Sequence, residues 1–141
     1  MSSTASETAP TLFQGIATLE LLRSLQAGGQ KVQEVCELVL QGTGKVEPKL
    51  HAFASLEPKL VLEAAQALDT FRLSGRPVGP LYGLPIVLSD LIETKQQPTT
   101  NGTKIDTAKQ GSKDSAVAER LKASGAVLLG KTRVSELGVV T

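Results

Sequence analysis

The sequence predicts an α/β fold in which helices and strands alternate around a mixed, largely parallel sheet, with helices at the N-terminal end. Three observations carry this. Residues 86–88 (Ile-Val-Leu) and 126–129 (Ala-Val-Leu-Leu) are short runs apolar on both faces, as strands covered by helices are. Residues 115–124 between them have helical composition, and strand–helix–strand order favours parallel pairing. Upstream, two amphipathic stretches present apolar residues at helical spacing.

In chain order, residues 1–10 are rich in Ser, Thr and Ala and read as a flexible lead. Leu12, Ile16, Leu19, Leu22 and Leu25 recur at helical spacing, so a helix is expected over residues 12–27, stopped by Gly28-Gly29. Val32, Val35, Cys36, Val39 and Leu40 share the face of a second helix, which Gly42 and Gly44 are expected to end. Residues 50–56 alternate, with Leu50, Ala52, Ala54 and Leu56 on one side and His51, Phe53 and Ser55 on the other, predicting a short strand. Pro58 then opens a long Ala/Leu-rich helix to about Leu73, closed by Ser74-Gly75. Residues 79–85 form a turn-rich approach to the strand at 86–88, which is expected to be central. Residues 93–113 are polar and read as a long loop, a kind of segment that is often functional in a compact domain. Asp114 is the expected cap of the helix at 115–124 and Gly125 its stop, and the strand at 126–129 is followed by residues 130–132 (Gly-Lys-Thr) and a short polar turn.

Composition excludes several function classes. The 15 basic and 14 acidic residues nearly cancel, and three Phe with one Tyr offer little base-stacking surface, so nucleic acid is not an expected partner. No apolar run approaches the length needed to cross a bilayer, and the first ten residues lack the apolar core of a secretory signal. The single Cys36 forbids an internal disulfide and sits among apolar neighbours, reading as a buried structural thiol. A cytoplasmic or similarly reducing compartment is therefore expected. One His and one Cys cannot build a closed metal site, so no metal and no cofactor are expected.

Three blocks speak to chemistry. They are residues 79–90 (Gly-Pro-Leu-Tyr-Gly-Leu-Pro-Ile-Val-Leu-Ser-Asp), residues 98–103 (Pro-Thr-Thr-Asn-Gly-Thr) and residues 125–132 (Gly-Ala-Val-Leu-Leu-Gly-Lys-Thr). In this order and spacing the chain resembles the amidase signature family, whose members hydrolyse amides or transfer their ammonia. The resemblance begins near Leu19 and continues to the last residue. It implies an incomplete α/β/α sandwich, with residues 11–141 forming the N-terminal part of an amidase-signature domain.

The resemblance also implies a gap at the catalytic centre. The family works with two serines and a lysine, and the lysine directly precedes an aspartate. The matching position here is Ser89, before Asp90. The family's two serines lie in a Gly/Ser-rich segment after the Gly-Lys-Thr block, and no such segment follows within these 141 residues. An inactive chain is therefore expected, with no catalytic residue assigned. Amide carbonyls are poor electrophiles that need an activated hydroxyl, a proton relay and oxyanion donors. A desolvated lysine can turn neutral and accept a proton, whereas a serine hydroxyl has no comparable basic form near pH 7.

Substitutes for that base are weak. The resemblance gives Lys131 a structural place, and Lys95, Lys104, Lys109 and Lys113 fall in the polar loop where solvation keeps an amine charged. His51 is expected in the strand beside Phe53 without a serine partner, and Ser89-Asp90 without a histidine is no triad. The loop residues Thr99, Thr100, Asn101, Gly102 and Thr103 are the candidates for residual ligand contact, although Asn-Gly is also an ordinary turn dipeptide. Three readings follow. The first is a truncated, non-catalytic amidase-like protein. The second is a binding or scaffold subunit that completes an open sheet edge against itself or another protein chain. The third is half of an amide hydrolase or amidotransferase assembled in trans.

Overall fold

A computed structural model describes residues 17–104 and 109–139 of the 141-residue chain. The order is helix α1 (Thr18–Ala27), helix α2 (Val32–Leu50), strand β1 (Phe53–Leu56), helix α3 (Pro58–Leu73), strand β2 (Pro85–Ser89), strands β3 (Pro98–Thr99) and β4 (Lys109–Gln110), helix α4 (Ala116–Ala123) and strand β5 (Val127–Thr132), with a 3-10 turn at Glu136–Gly138. The expected N-terminal lead, and Leu12 and Ile16 of the first expected helix, lie outside the described residues.

The main sheet has the order β1-β5-β2 and is mixed: β5 runs antiparallel to β1 and parallel to β2. This supports the α/β expectation and corrects one detail. Among the described residues β5 lies between two strands, while β2 is paired on one side only and leaves Val87 44% exposed. The apolar triplet at 86–88 could not reveal this, because its residues alone do not say how many neighbours the strand finds. β5 is also longer than expected. Gly130, Lys131 and Thr132, expected to follow the strand, belong to it, since β1 pairs with each of them.

One face of the sheet carries most of the core. Leu21 and Leu25 of α1, Val32, Val35 and Cys36 of α2, Val61 and Ala65 of α3, and Tyr82 pack with Val127 and Leu129 of β5. A smaller cluster, Leu88 and Leu128 with Ala118 of α4, covers the other face. Tyr82 buries its ring in the larger cluster and donates its hydroxyl to the Leu68 carbonyl at 3.1 Å, tying the approach to β2 onto α3. That approach also bonds along the start of β5: the Leu81 and Gly83 N–H groups reach the Ser124 and Gly125 carbonyls, and the Val127 N–H reaches Leu84. Such closeness requires glycine at 125, where φ is +89° and a Cβ would meet the Tyr82 Cα at 2.9 Å.

Several local expectations are revised. α2 runs through Gly42, Gly44 and Pro48 to Leu50. Two glycines cost a helix only about 2 kcal/mol, and packing of α2 on α3 holds the element. It stops instead at His51, whose φ is +49°, while the Glu47 carboxylate accepts the Ala52 and Phe53 N–H groups. The first residue of the expected strand, Leu50, is therefore helical, and His51 is an exposed helix cap rather than a strand residue. The loop at 93–113 contains the small antiparallel pair of β3 and β4. Ser115, not Asp114, caps α4 by accepting the Ala118 N–H. Asp114 accepts the Lys95 N–H and pairs with Lys122 at 2.8 Å. Partial burial alone would raise its pKa, but these hydrogen bonds and the Lys95 and Lys122 charges outweigh that and hold it below the usual carboxylate value. No helix among the described residues is long and apolar enough to cross a membrane.

Candidate functional site

Parallel β2 and β5 end side by side, Ser89 opposite Thr132. Beyond such strand ends the chain must leave the sheet, and side chains from several segments can converge there. Here the converging segments are the ends of β2 and β5 and the loop at 98–103.

Ser89 is half-buried, and its Oγ accepts the Leu91 N–H at 3.3 Å. That is a short local turn, in which the hydroxyl meets a backbone donor. The next residue behaves differently. Asp90 is 1% exposed. Its carboxylate accepts the Thr100 N–H at 3.1 Å, the Thr100 hydroxyl and the Gly102 N–H at 3.4 Å. Its backbone carbonyl accepts the Asn101 N–H at 3.2 Å. One residue thus fixes the loop at four points. The loop itself turns tightly at Asn101 and Gly102, both with positive φ, and the Thr103 N–H closes it onto the Thr100 carbonyl at 3.1 Å. Glycine is required at 102 on a second count, since a Cβ there would strike the Val134 and Ser135 carbonyls.

Lys131, wholly buried, supplies the cation. Its Nζ donates to Thr99 Oγ1 at 2.8 Å and lies 3.7 Å from Asp90 Oδ1. Thr99 in turn donates to the Ile92 carbonyl at 3.4 Å. Removal from water pulls the Lys131 pKa below its ordinary value, and the Asp90 charge works against that shift. This amine is thus already committed to a carboxylate and a hydroxyl.

Of the loop candidates, Thr100, Gly102 and Thr103 line a small cavity of about 150 Å³, shared with Ala54, Asp90, Lys104, Arg133 and Val134. The Thr99 and Thr100 hydroxyls point inward to Lys131 and Asp90. Lys95, Lys104 and Lys113 are exposed, and the side chain of Lys109 lies outside the described residues. Cys36 is buried and its thiol is pushed up to about 12, chiefly by burial and then by the Asp69 and Glu37 charges, which makes it unreactive. Among the described residues no group of three His, Cys, Asp or Glu side chains is placed to hold a metal. Sequence reasoning missed the role of Asp90. A lysine inside an otherwise apolar strand was the available signal, because a buried ammonium requires a buried carboxylate nearby.

Comparison with known proteins adds an independent line. A family model described as amidase matches residues 34–141. The glutamyl-tRNA(Gln) amidotransferase A-subunit of Salinispora arenicola is 35% identical over 129 residues, covering 92% of this chain and 26% of that protein. The native peptide amidase of Stenotrophomonas maltophilia superposes with a TM-score of 0.81 at 30% identity, over 90% of this chain and 26% of its own. A member of a vestigial protein complex bearing on the origins of an s-triazine catabolic enzyme gives a TM-score of 0.80 at 30% identity, over 86% of this chain and 27% of its own. The chain spans about a quarter of the length of the curated relatives it matches.

Proposed function

This chain belongs to the amidase family, and from that premise we propose that the segment is non-catalytic as it stands, because it brings no proton acceptor to the position where the family's lysine is expected. The observation that carries the reading is Ser89: a hydroxyl at the end of β2, hydrogen-bonded to the Leu91 N–H. Loss of a general base alone costs about 10²–10⁴ in rate. Lys131 does not replace it, since its Nζ is held by Thr99 and Asp90 and is shut away from solvent. In this reading the loop from Thr99 to Thr103 is a residual ligand contact, its cavity-facing members being Thr100, Gly102 and Thr103.

The test is ammonia release from simple carboxamides by the purified chain, alongside its Ser89→Lys variant. No release above the blank is expected from the unmodified chain. Turnover that survives repurification, and disappears on heat denaturation, would overturn the proposal.

A second reading is favoured by one observation. Among the described residues the outer edge of β2 carries no strand, and Val87 is exposed on it. Unpaired backbone at a sheet edge is a template for another chain, which suits a binding or scaffold subunit completing its sheet against a partner. Light scattering after size exclusion distinguishes the two, since a clean monomer at high concentration counts against self-pairing. An amide hydrolase or amidotransferase assembled in trans is the weakest of the three, because a partner supplying serines would still find Ser89 where the lysine belongs.

A further inference from the structure

We propose that Asn101-Gly102 is a site of spontaneous covalent modification, at which the chain expels its own ammonia when the Asp90 clamp on the loop opens. The site does not depend on the reading of Ser89. Asn101 is the only asparagine of the chain, and the residue after it is glycine, with no side chain to shield its nitrogen. The chemistry is an intramolecular acyl transfer. The Gly102 nitrogen loses its proton to hydroxide and attacks the side-chain carboxamide carbon of Asn101. The new C–N bond closes a five-membered succinimide, and the carboxamide nitrogen takes a proton from water and leaves as ammonia. Water then adds to either ring carbonyl and opens the ring, giving aspartate or its β-linked isomer.

The structure holds this reaction back at one peptide unit. Asn101 and Gly102 have φ values of +55° and +71°, and the Thr103 N–H bonds to the Thr100 carbonyl, which makes a left-handed turn. A left-handed residue has a positive ψ as well, so the Gly102 nitrogen is turned away from the Asn101 side chain. Ring closure requires the peptide between them to rotate, and that peptide is anchored at both ends. Its carbonyl accepts the Leu137 N–H at 2.8 Å, and its N–H donates to Asp90 Oδ2 at 3.4 Å. The buried Asp90 charge also opposes loss of the Gly102 proton, which would set two anions side by side. Solvent access is not the barrier, since Asn101 is only half-buried and Gly102 lines two cavities, of about 150 and 390 Å³. The change is one-way. Either product adds a negative charge to a loop already bonded to Asp90, and the β-linked one lengthens the backbone by an atom. The clamp then does not re-form, and Thr99 is loosened from Lys131.

The test follows the full chain at neutral pH, folded in buffer and unfolded in guanidinium, by peptide mass spectrometry of the segment around residue 101. The unfolded chain should gain one mass unit at Asn101 through a succinimide intermediate, with isoaspartate as the main product. The folded chain should do the same more slowly, by about ten- to a thousandfold, which is the cost of a local opening. A folded Thr100→Val variant lacks the hydroxyl bond to Asp90 and should react about threefold or more faster than the folded parent. The ammonia released amounts to one per chain, needs no added carboxamide and persists in denaturant, which separates it from turnover of a substrate. Equal rates in the folded and unfolded chain would overturn the proposal, as would a folded chain protected beyond that range. So would an unfolded chain that stays unmodified, or a folded Thr100→Val variant no faster than its parent. Circular dichroism checks the variant's fold, and the ratio of the two parent rates decides the matter where it fails.

Discussion

Asp69 and Asp90 are both carboxylates that pin distant backbone, yet among the described residues only Asp90 is paired with a cation. Asp69, on α3, accepts the Val32 and Gln33 N–H groups at 2.9 and 3.0 Å and so caps α2 from another element, the helix's own N-cap residue Lys31 offering no side-chain bond. It is half-buried, and the positive end of the helix dipole meets its charge. Asp90 pins the loop at 98–103 but sits at the end of a sheet, almost without solvent, and is paired with the buried Lys131. The difference teaches where a cation is needed. Helix N–H groups and residual water suffice for one carboxylate, whereas the other lies beyond both.

The largest effect should come from breaking that pair. Lys131→Met leaves Asp90 buried without its cation and should cost about 3–5 kcal/mol in chemical denaturation. Adding Asp90→Asn removes the stranded charge and should recover part of the loss; no recovery would mean that the pair is not the source. Asp69→Ala should cost about 1–2 kcal/mol, the range of a lost helix cap, read in the same denaturation experiment. A loss as large as that for Lys131→Met would erase the contrast between the two carboxylates. The smallest effect has the opposite sign. Gly42 lies inside α2, exposed, with open space where a Cβ would stand, so Gly42→Ala should stabilise by about 0.5–1 kcal/mol, seen as a raised Tm.

Much of the fold is legible in the residues. Pro58 at the first turn of α3, Gly28 after α1 with a φ of +78°, and the apolar run at 126–129 each stand where local chemistry places them. The departures share a cause. Gly42 and Gly44 look like stops because glycine weakens a helix, but a cost of about 1 kcal/mol each is easily met by packing on a neighbour. Asp114 looks like a cap from its residue type, and a tertiary partner, Lys122, claims it while Ser115 takes the cap. At the candidate site, Ser89 and the loop at 99–103 are found through motif resemblance. Asp90 is not, since its function lies in bonds to residues ten and twelve positions away and to Lys131 on another strand.

By itself the sequence determined the alternation of helices and strands, the family resemblance and the hydroxyl at position 89, because each is carried by residue identity and near-neighbour spacing. Only the tertiary structure decided that β5 runs between β1 and β2 and that Lys131 faces Asp90 rather than solvent. Burial is a property of what surrounds a residue. The same lysine is an exposed charge or a sealed half of an ion pair according to which strands flank it, and the apolar run before it hints at burial without naming the partner.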